Sequence, residues 1–507
     1  MISKEFKEII LLIFVLAISP YIFFLGNNFL LTEFFGVPYY LLSVLYSFFF
    51  IFLAICATFF GKKILTIILF FSYFSFLQFY FVNIQELLII YKDGPVGFYV
   101  LCFIIFVSFI TTLSSKLSIV RNFIFIFLFL NILISLNNLI PSMKSSFQSF
   151  VKNTNTINDS VKNKNFTSAK YPNIFYIVPD GLASPKILKN YANIDFEDSI
   201  YKFEEKGFSV PMHNYSSYNT TYLSLAALFK MDYPATEKTP VYKNRYDFYP
   251  YIRDKSPGPK ILQYLKKNNY QFVIVPPKWG GCPSSKHFIC LTPASTLQDY
   301  FLYDYSLSIF FKNSLLNKFF TNYFSFVSKK IDWDDTAKTA LNKMKKNPWI
   351  WSDGGVFTMI HMMMPHSPYR ERNCSITNLP EPSKEGYESS VHCSLSRLHE
   401  LSNFIIKNYP NATIVVQSDH GIVSEYIANK KFVEISNLFI DQRLGSFTAV
   451  KGCNSNQAAR LNQVNIIRFI IECLVASKQT KQLKNKSYYG SYEESPDFGK
   501  VFRVYKK

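Results

Sequence analysis

Ionisable residues are scarce in the first third of this 507-residue chain. Residues 1–145 contain 8 Lys and Arg against 5 Asp and Glu, which leaves 46 against 30 and a net charge of +16 for residues 146–507. The chain as a whole is 49% hydrophobic and has 53 Phe, yet its net charge is +19. This uneven composition excludes a purely soluble enzyme, a pure channel or transporter, and a disordered or fibrous protein.

Five apolar runs occupy the first third, and each is close to the roughly 20 residues that a helix needs to cross a bilayer. They are residues 9–25, 39–60, 64–83, 96–113 and 123–139. We therefore predict an N-terminal five-helix transmembrane bundle within residues 1–141, followed by a polar linker over residues 142–170. The runs hold almost no ionisable side chains, which favours a membrane anchor over an ion path or a proton relay.

The short loops between the runs predict the orientation of this anchor. The intervening loops contain a single basic residue, Lys92. Six basic residues lie at the alternate ends of the runs: Lys4, Lys7, Lys62, Lys63, Lys116 and Arg121. This positive-inside pattern places the N-terminus in the cytoplasm, so an odd number of spans exports everything after about residue 140. No small-residue cleavage site follows the first run, and we interpret it as an anchor rather than a signal peptide.

Cysteine usage supports an exported location. Six of the eight cysteines lie in the predicted exported part, as expected for disulfides in an oxidising compartment. Pairing of nearest neighbours is the simplest hypothesis, and it joins Cys282 with Cys290, Cys374 with Cys393, and Cys453 with Cys473. Other pairings remain open, because connectivity cannot be deduced from sequence.

Beyond residue 170, apolar runs alternate with helical patterns. The runs are residues 173–180, 270–277, 356–363 and 413–421. Near-continuous β-branched and aromatic runs of this kind are typical of buried parallel strands. We predict an exported α/β domain over residues 171–480, with a central, mostly parallel sheet covered on both faces. Residues 481–507 are polar and are predicted to form a peripheral tail.

Polar side chains accompany the carboxyl ends of three predicted strands, where open α/β sheets place their chemistry. Asp180 ends the first run, Asp419 and His420 lie at the end of the last, and the VFTMI strand of the third runs into His361 and His366, for which a functional loop is expected rather than a packed helix. A mixed set of oxygen and nitrogen donors favours zinc or manganese over calcium or magnesium. Asp180 alone could equally be a turn or helix-capping residue.

A further segment, NYSSYNTTYLSLAALFKMDY, reads as a polar loop that leads into a helix. Thr220 and Thr221 lie at the predicted helix N-terminus, where backbone N–H groups and the helix dipole stabilise negative charge. A hydroxyl in this position beside a divalent metal can attack phosphorus and form a covalent phospho-enzyme. The alternative is an ordinary helix N-cap.

The order of these motifs resembles the alkaline phosphatase and sulfatase superfamily. The motifs are the Asp that ends the first strand, YNTTYLSLAAL, HMMMPHSPY and SDHG, and the resemblance covers about residues 171–475. Within the superfamily, the chain is most similar to the membrane-anchored phosphoethanolamine and phosphoglycerol transferases, including lipoteichoic acid synthases. Those enzymes also place five N-terminal helices before an exported α/β catalytic domain with an alkaline phosphatase or sulfatase fold.

The resemblance implies roles for individual residues. Asp180, Asp419 and His420 are implied to bind a divalent metal together with Thr221. Thr221 is the implied nucleophile and Thr220 is the alternative, because the family's Thr is followed by two residues and then SLA, as Thr221 is here.

The chain also has the family's pair of histidines, and it departs from the family pattern at two places. His361 and His366 are implied to contact the transferred group or a second metal. The transferases typically have Glu where this chain has Asp180, a shorter ligand that is also found in diesterases of the wider superfamily. The CPSSK segment at Cys282 lacks the spacing and the Arg of a sulfatase C-x-P-S-R motif, so hydrolysis of sulfate esters is not expected.

The expected function is that of a phosphotransferase of the bacterial inner (cytoplasmic) membrane, with its catalytic domain on the periplasmic or extracytoplasmic side. It would move phosphoethanolamine or phosphoglycerol from a membrane phospholipid to a surface glycan or lipid through a phospho-Thr intermediate. The basic exported part suits phosphorylated substrates and anionic bilayers, although solubility explains its charge equally well. No nucleic-acid partner is expected. A phosphodiesterase or phosphatase and a non-catalytic lipid sensor are the alternatives, and the complete set of polar motif residues favours an enzyme.

Overall fold

The structure is a computed structural model, and it describes mainly the part of the chain after residue 170. The ranges are residues 171–192, 197–239, 259–277, 288–291, 335–377, 382–422, 431–475, 482–491 and 499–504, with isolated residues elsewhere. The five predicted membrane runs lie outside these ranges, apart from isolated helical positions. Among the residues that are described, no helix is both long enough and apolar enough to cross a bilayer.

The chain divides into two compact units. One combines Met1–Asn155 with Ala294–Asp332, and the other combines Thr156–Pro293 with Trp333–Lys507. All the strands and helices named below belong to the second unit.

A six-stranded sheet forms the centre of the second unit, in the order β3, β2, β4, β1, β5, β6. Its strands are β1 (Ile174–Asp180), β2 (Gln271–Val275), β3 (Phe288–Cys290), β4 (Val356–Pro365), β5 (Thr413–Gln417) and β6 (Thr448–Lys451). Every neighbouring pair is parallel except β5 and β6, which are antiparallel. The predicted α/β domain with a mostly parallel sheet is therefore confirmed.

Helices cover both faces of this sheet. They are α1 (Pro185–Ala192), α2 (Glu197–Glu204), α3 (Thr221–Lys230), α4 (Lys260–Lys267), α5 (Thr336–Lys346), α6 (Lys384–Asn408), α7 (Asn437–Leu444), α8 (Ser455–Ala458) and α9 (Gln463–Val475). Alternate side chains of β1 enter opposite cores, with Ile177 packed among residues of α1, α5 and α6 and Tyr176 among residues of α3, α4 and α9. Burial on both faces explains why the strands are almost continuously apolar.

Two parts of the chain differ from their predicted structure. The polar segment expected as a peripheral tail contains the antiparallel strands β7 (Ser487–Gly490) and β8 (Val501–Val504). Tyr488 and Tyr489 are buried, so this segment packs into the domain through its aromatic side chains. The loop expected around the two histidines is also corrected, because β4 continues through Pro365 and includes His361.

Disulfides tie distant parts of this unit together. Cys374–Cys393 joins the segment after β4 to α6, and Cys453–Cys473 joins the end of β6 to α9, as the nearest-neighbour hypothesis predicts. Cys290 is disulfide-bonded as well, and its predicted partner Cys282 lies outside the described residues. Each of the two described bonds closes a loop of 19 or 20 residues, and such a loop contributes about 3 kcal/mol in the chain-entropy account.

Candidate functional site

The sheet topology brings the predicted site residues to one edge. Strand β1 lies between β4 and β5, and all three are parallel, so their carboxyl ends meet. Asp180 is the last residue of β1, and Asp419 and His420 follow the end of β5 by two and three residues. The hydroxyl of Ser418 donates to the carbonyl of Pro179 at 2.7 Å and fixes the two strand ends against each other.

A cluster of three metal-ligand side chains results. One ligand atom from each of Asp180, Asp419 and His420 lies within 4.8 Å of the others, and the residues are only 2%, 1% and 1% exposed. His420 Nε2 lies 3.5 Å from Asp180 Oδ1 and 3.3 Å from Asp419 Oδ2. These two carboxylate oxygens accept no hydrogen bond from any described residue. Buried carboxylates require a cation or donors, so the cluster fits a divalent metal.

Backbone contacts orient the two ligands that follow β5. Asp419 Oδ1 accepts hydrogen bonds from the amides of Gly181, at 3.0 Å, and of His420, at 2.9 Å. His420 Nδ1 lies 2.8 Å from the carbonyl of Gly421 and must donate to it, because a carbonyl oxygen cannot donate. Nε2 consequently keeps its lone pair and faces Asp419 Oδ2, as a metal-ligating imidazole requires.

Burial and charge keep the His420 imidazole neutral. Burial, together with the Arg443 guanidinium, lowers the pKa of His420 to about 4, although the carboxylates of Asp419 and Asp180 act in the opposite direction. A neutral ring near pH 7 is the form that binds metals.

The predicted histidine pair surrounds Asp180. His361 is buried in β4, and its Nε2 lies 3.4 Å from Asp180 Oδ2. The amide of His366 donates to the carbonyl of Asp180 at 3.1 Å, and its partly buried ring lies 2.8 Å, through Nδ1, from the carbonyl of Ser367. Burial alone would raise the pKa of Asp180, but the imidazoles of His366, His361 and His420 hold it below its usual range.

The two threonines occupy different positions at the start of α3. Thr221 is the first residue of the helix, is partly exposed, and places Oγ1 at 3.2 Å from His420 Nε2. Thr220 is the N-cap residue, but its buried hydroxyl makes no capping hydrogen bond and has no hydrogen-bond partner in the described part of the chain. Thr221 is therefore the threonine that reaches the cluster. The apolar residues behind it, Leu225 and Leu228, pack into the core and fix the helix.

One residue at the site was missed by the sequence reasoning. Arg443, in α7, is only 5% exposed and places Nη2 at 3.1 Å from His420 Nε2, while Nη1 donates to the carbonyl of Gly421 at 3.1 Å. The approach is close because position 421 is glycine, where an added Cβ would lie 2.1 Å from the carbonyl oxygen of Gln442. No motif marks this Arg, because its place depends on how α7 packs.

Further side chains brace the ligands from behind. The amide of Gln463, at the start of α9, donates to the carbonyls of Ser418, at 2.8 Å, and Asp419, at 3.2 Å. Tyr387, in α6, donates its hydroxyl to the carbonyl of Gly181 at 2.8 Å. Gly181 has a φ of 76°, which favours glycine. The site is thus held by elements on both faces of the sheet.

No protein-family model and no characterised protein sequence matches this chain. Among solved structures, it is similar to the C-terminal periplasmic domain of EcEptC from Escherichia coli, with 12% identity, 67% of this chain and 94% of that chain covered, and a TM-score of 0.38. The E. coli domain is also known in complex with Zn.

Two further solved structures resemble the chain. The lipoteichoic acid synthase LtaP from Listeria monocytogenes has 12% identity, with 67% of this chain and 83% of that chain covered, and a TM-score of 0.41. The C-terminal periplasmic domain of the phosphoethanolamine transferase EptC from Campylobacter jejuni has 11% identity, with 62% and 96% covered, and a TM-score of 0.36. Two of these three similar structures are periplasmic domains of EptC proteins, and the third is a lipoteichoic acid synthase.

Proposed function

We propose that this site is the centre of a metal-dependent phosphotransferase. One observation carries the proposal: the hydroxyl of Thr221, at a helix N-terminus, lies 3.2 Å from a ligand atom of the buried Asp180, Asp419 and His420 cluster. A partly exposed hydroxyl beside a buried set of metal ligands combines a nucleophile with the charge that phosphoryl transfer needs. The motif resemblance supports the same reaction class.

Asp180, Asp419 and His420 are proposed to hold the metal, with Thr221 as a fourth ligand. Two carboxylates, an imidazole and a hydroxyl suit zinc or manganese. When bound, such an ion favours ionisation of a nearby hydroxyl and neutralises charge that develops on a phosphoryl group.

The proposed reaction has two steps. Thr221 Oγ1 forms a bond to the phosphorus of a membrane phospholipid, the bond from phosphorus to the diacylglycerol oxygen breaks, and the proton of Thr221 ends on that oxygen. The oxygen of an acceptor hydroxyl then forms a bond to the same phosphorus, the bond from phosphorus to Thr221 Oγ1 breaks, and the proton of the acceptor returns to Oγ1. His366 is better placed than His361 to move these protons, because it is partly exposed and His361 is buried against Asp180.

The donor proposed is a phosphatidylethanolamine or phosphatidylglycerol, and the acceptor is a surface glycan or lipid. The proposed location is the bacterial inner membrane, with the described domain on its outer side. The two described disulfides support exposure to an oxidising compartment, and the apolar runs of residues 1–141 support the anchor.

The test compares lipid turnover by the full-length, zinc-loaded protein and two variants. Labelled phosphatidylethanolamine and phosphatidylglycerol are supplied separately, and release of diacylglycerol is measured. Thr221→Ala should abolish release, whereas the matched control Thr220→Ala should retain it, because only Thr221 contacts the cluster. Release from neither lipid, or full activity of Thr221→Ala, would refute the proposal. Transfer of the head group to water alone would identify a phosphodiesterase instead.

A further inference from the structure

We infer that Arg443 binds a phosphoryl oxygen of the substrate at this site. The choice of a phosphodiester as substrate rests on the proposed function. The geometry of the Arg443 guanidinium is independent of that choice.

The Arg443 side chain is a buried cation without a carboxylate partner. It is 5% exposed, and no described Asp or Glu forms an ion pair with it. Its Nη1 is fixed by the carbonyl of Gly421, its Nη2 faces His420 Nε2, and its Nε has no hydrogen-bond partner among the described residues. A buried guanidinium with an unused donor is costly unless an anion accepts from it. The side chain is therefore suited to a bound oxyanion.

The Nη2 end of this guanidinium lies near the proposed nucleophile. Thr221 Oγ1 lies 3.2 Å and Arg443 Nη2 lies 3.1 Å from the same atom, His420 Nε2, so the two are at most about 6.3 Å apart. A non-bridging oxygen of a phosphoryl group on Thr221 lies about 2.5 Å from Oγ1 and reaches a donor about 3 Å further away, so it accepts from the guanidinium when Oγ1 and Nη2 are within about 5.5 Å of each other. Arginine is well suited to this contact, because its planar fork of donors matches phosphate geometry.

Metal ligation and phosphate binding then become coupled through His420. Its Nδ1 donates to Gly421, so Nε2 has a single lone pair, and both Arg443 Nη2 and the Thr221 hydroxyl lie within hydrogen-bond distance of it. A metal held by His420 uses that lone pair, and Arg443 Nη2 must donate to another acceptor. A phosphoryl oxygen is the acceptor that the proposed substrate supplies.

The charges of the site agree with this exchange. Asp180 and Asp419 contribute two negative charges, Arg443 contributes one positive charge, and a divalent metal adds two. For these four groups alone, the net charge of the loaded site would be +1. A phosphodiester carries a single negative charge and balances it. By thermodynamic linkage, phosphate should strengthen zinc binding by the same factor by which zinc strengthens phosphate binding.

The experiment measures binding of inorganic phosphate to the full-length, zinc-loaded protein by calorimetry. The variants are Arg443→Gln and Arg443→Lys, and the matched control is Arg460→Gln, which replaces an exposed Arg. Loss of a charge-assisted contact should weaken phosphate binding about 10- to 100-fold in Arg443→Gln. Arg443→Lys should recover part of the loss, and Arg460→Gln should bind as the parent does. Phosphate should also strengthen zinc binding in the parent protein and not in Arg443→Gln.

Two results would overturn the inference. One is a zinc-loaded Arg443→Gln variant that binds phosphate as tightly as the parent. The other is loss of fold or of zinc in both Arg443 variants, which would make Arg443 a structural residue. Failure of the proposed function looks different: phosphate binding depends on Arg443, but the parent protein turns over no phospholipid.

Discussion

The backbone around the end of α7 packs closely against Gly421, so the stability of Gly421→Ala tests this part of the structure. A Cβ at this position would lie 2.1 Å from the carbonyl oxygen of Gln442 and 2.6 Å from that of Gly445. Both atoms belong to the backbone around the end of α7, so neither can move without displacing that segment. Relief of the closer contact requires a shift of about 1 Å, because a carbon and an oxygen in ordinary contact stay beyond about 3 Å.

The cost follows from the contacts that this shift would break. The amide of Gly421 donates to the carbonyl of Arg443 at 2.7 Å, and that of Ile422 donates to the carbonyl of Gln442 at 3.1 Å. Each is worth about 1 kcal/mol, and overpacking adds about 1–3 kcal/mol. Gly421→Ala should therefore lower the free energy of unfolding by about 3–5 kcal/mol.

Gly181→Ala supplies a matched control at a neighbouring glycine of the same site, where an added Cβ has more space. Its φ is 76°, but the nearest atom to an added Cβ is 3.5 Å away, so only the left-handed backbone is unfavourable. The expected cost is about 1 kcal/mol. Urea unfolding of both variants, followed by the fluorescence of the buried Trp351, gives the comparison. If Gly421→Ala costs no more than Gly181→Ala, the described packing of α7 against the site is wrong.

Three further predictions concern acid stability, metal content and disulfides. Burial and nearby lysines lower the pKa of His399 to about 4. Since the unfolded chain takes up the proton first, the free energy of unfolding should fall by about 1–2 kcal/mol, after solvent screening, as the pH drops from about 6.5 towards 4. Urea unfolding at pH 7 and at pH 4.5 should show a smaller loss of stability in His399→Leu. Asp419→Asn should lower bound zinc at least about tenfold by elemental analysis, whereas Asp353→Asn, an exposed control, should not. Replacement of Cys374 and Cys393 by Ser should cost about 3 kcal/mol in urea unfolding, and an unchanged midpoint would contradict the stabilising role of that bond.

The strands and the cluster of candidate metal ligands were predictable because their sequence signals are local. Strands β1, β2, β4 and β5 are nearly continuous apolar runs, and the polar ligands directly follow two of them. The two described disulfides could be predicted because each joins cysteines that are neighbours in the sequence. Each of these predictions depends on residues that are close together in the chain.

The features that were missed depend on contacts between distant segments. Strand β6 has only four residues and gains its place by pairing with β5. The segment that contains Tyr488 is polar overall, and its place in the domain was therefore not predicted. Tyr488 is buried, and it pairs with Tyr218, which lies far earlier in the chain. Arg443 reaches His420 only because α7 packs against a glycine. Periodicity and motif spacing do not report such tertiary contacts.

Thr221 is proposed to become covalently bonded to phosphorus during transfer. The most direct measurement is mass spectrometry of the peptide that contains Thr221, after brief exposure of the full-length, zinc-loaded protein to phosphatidylethanolamine or phosphatidylglycerol without an acceptor. We expect phosphoethanolamine or phosphoglycerol on Thr221, and no such adduct in Thr221→Ala. Lipid turnover without an adduct, or an adduct carried by Thr220, would contradict it.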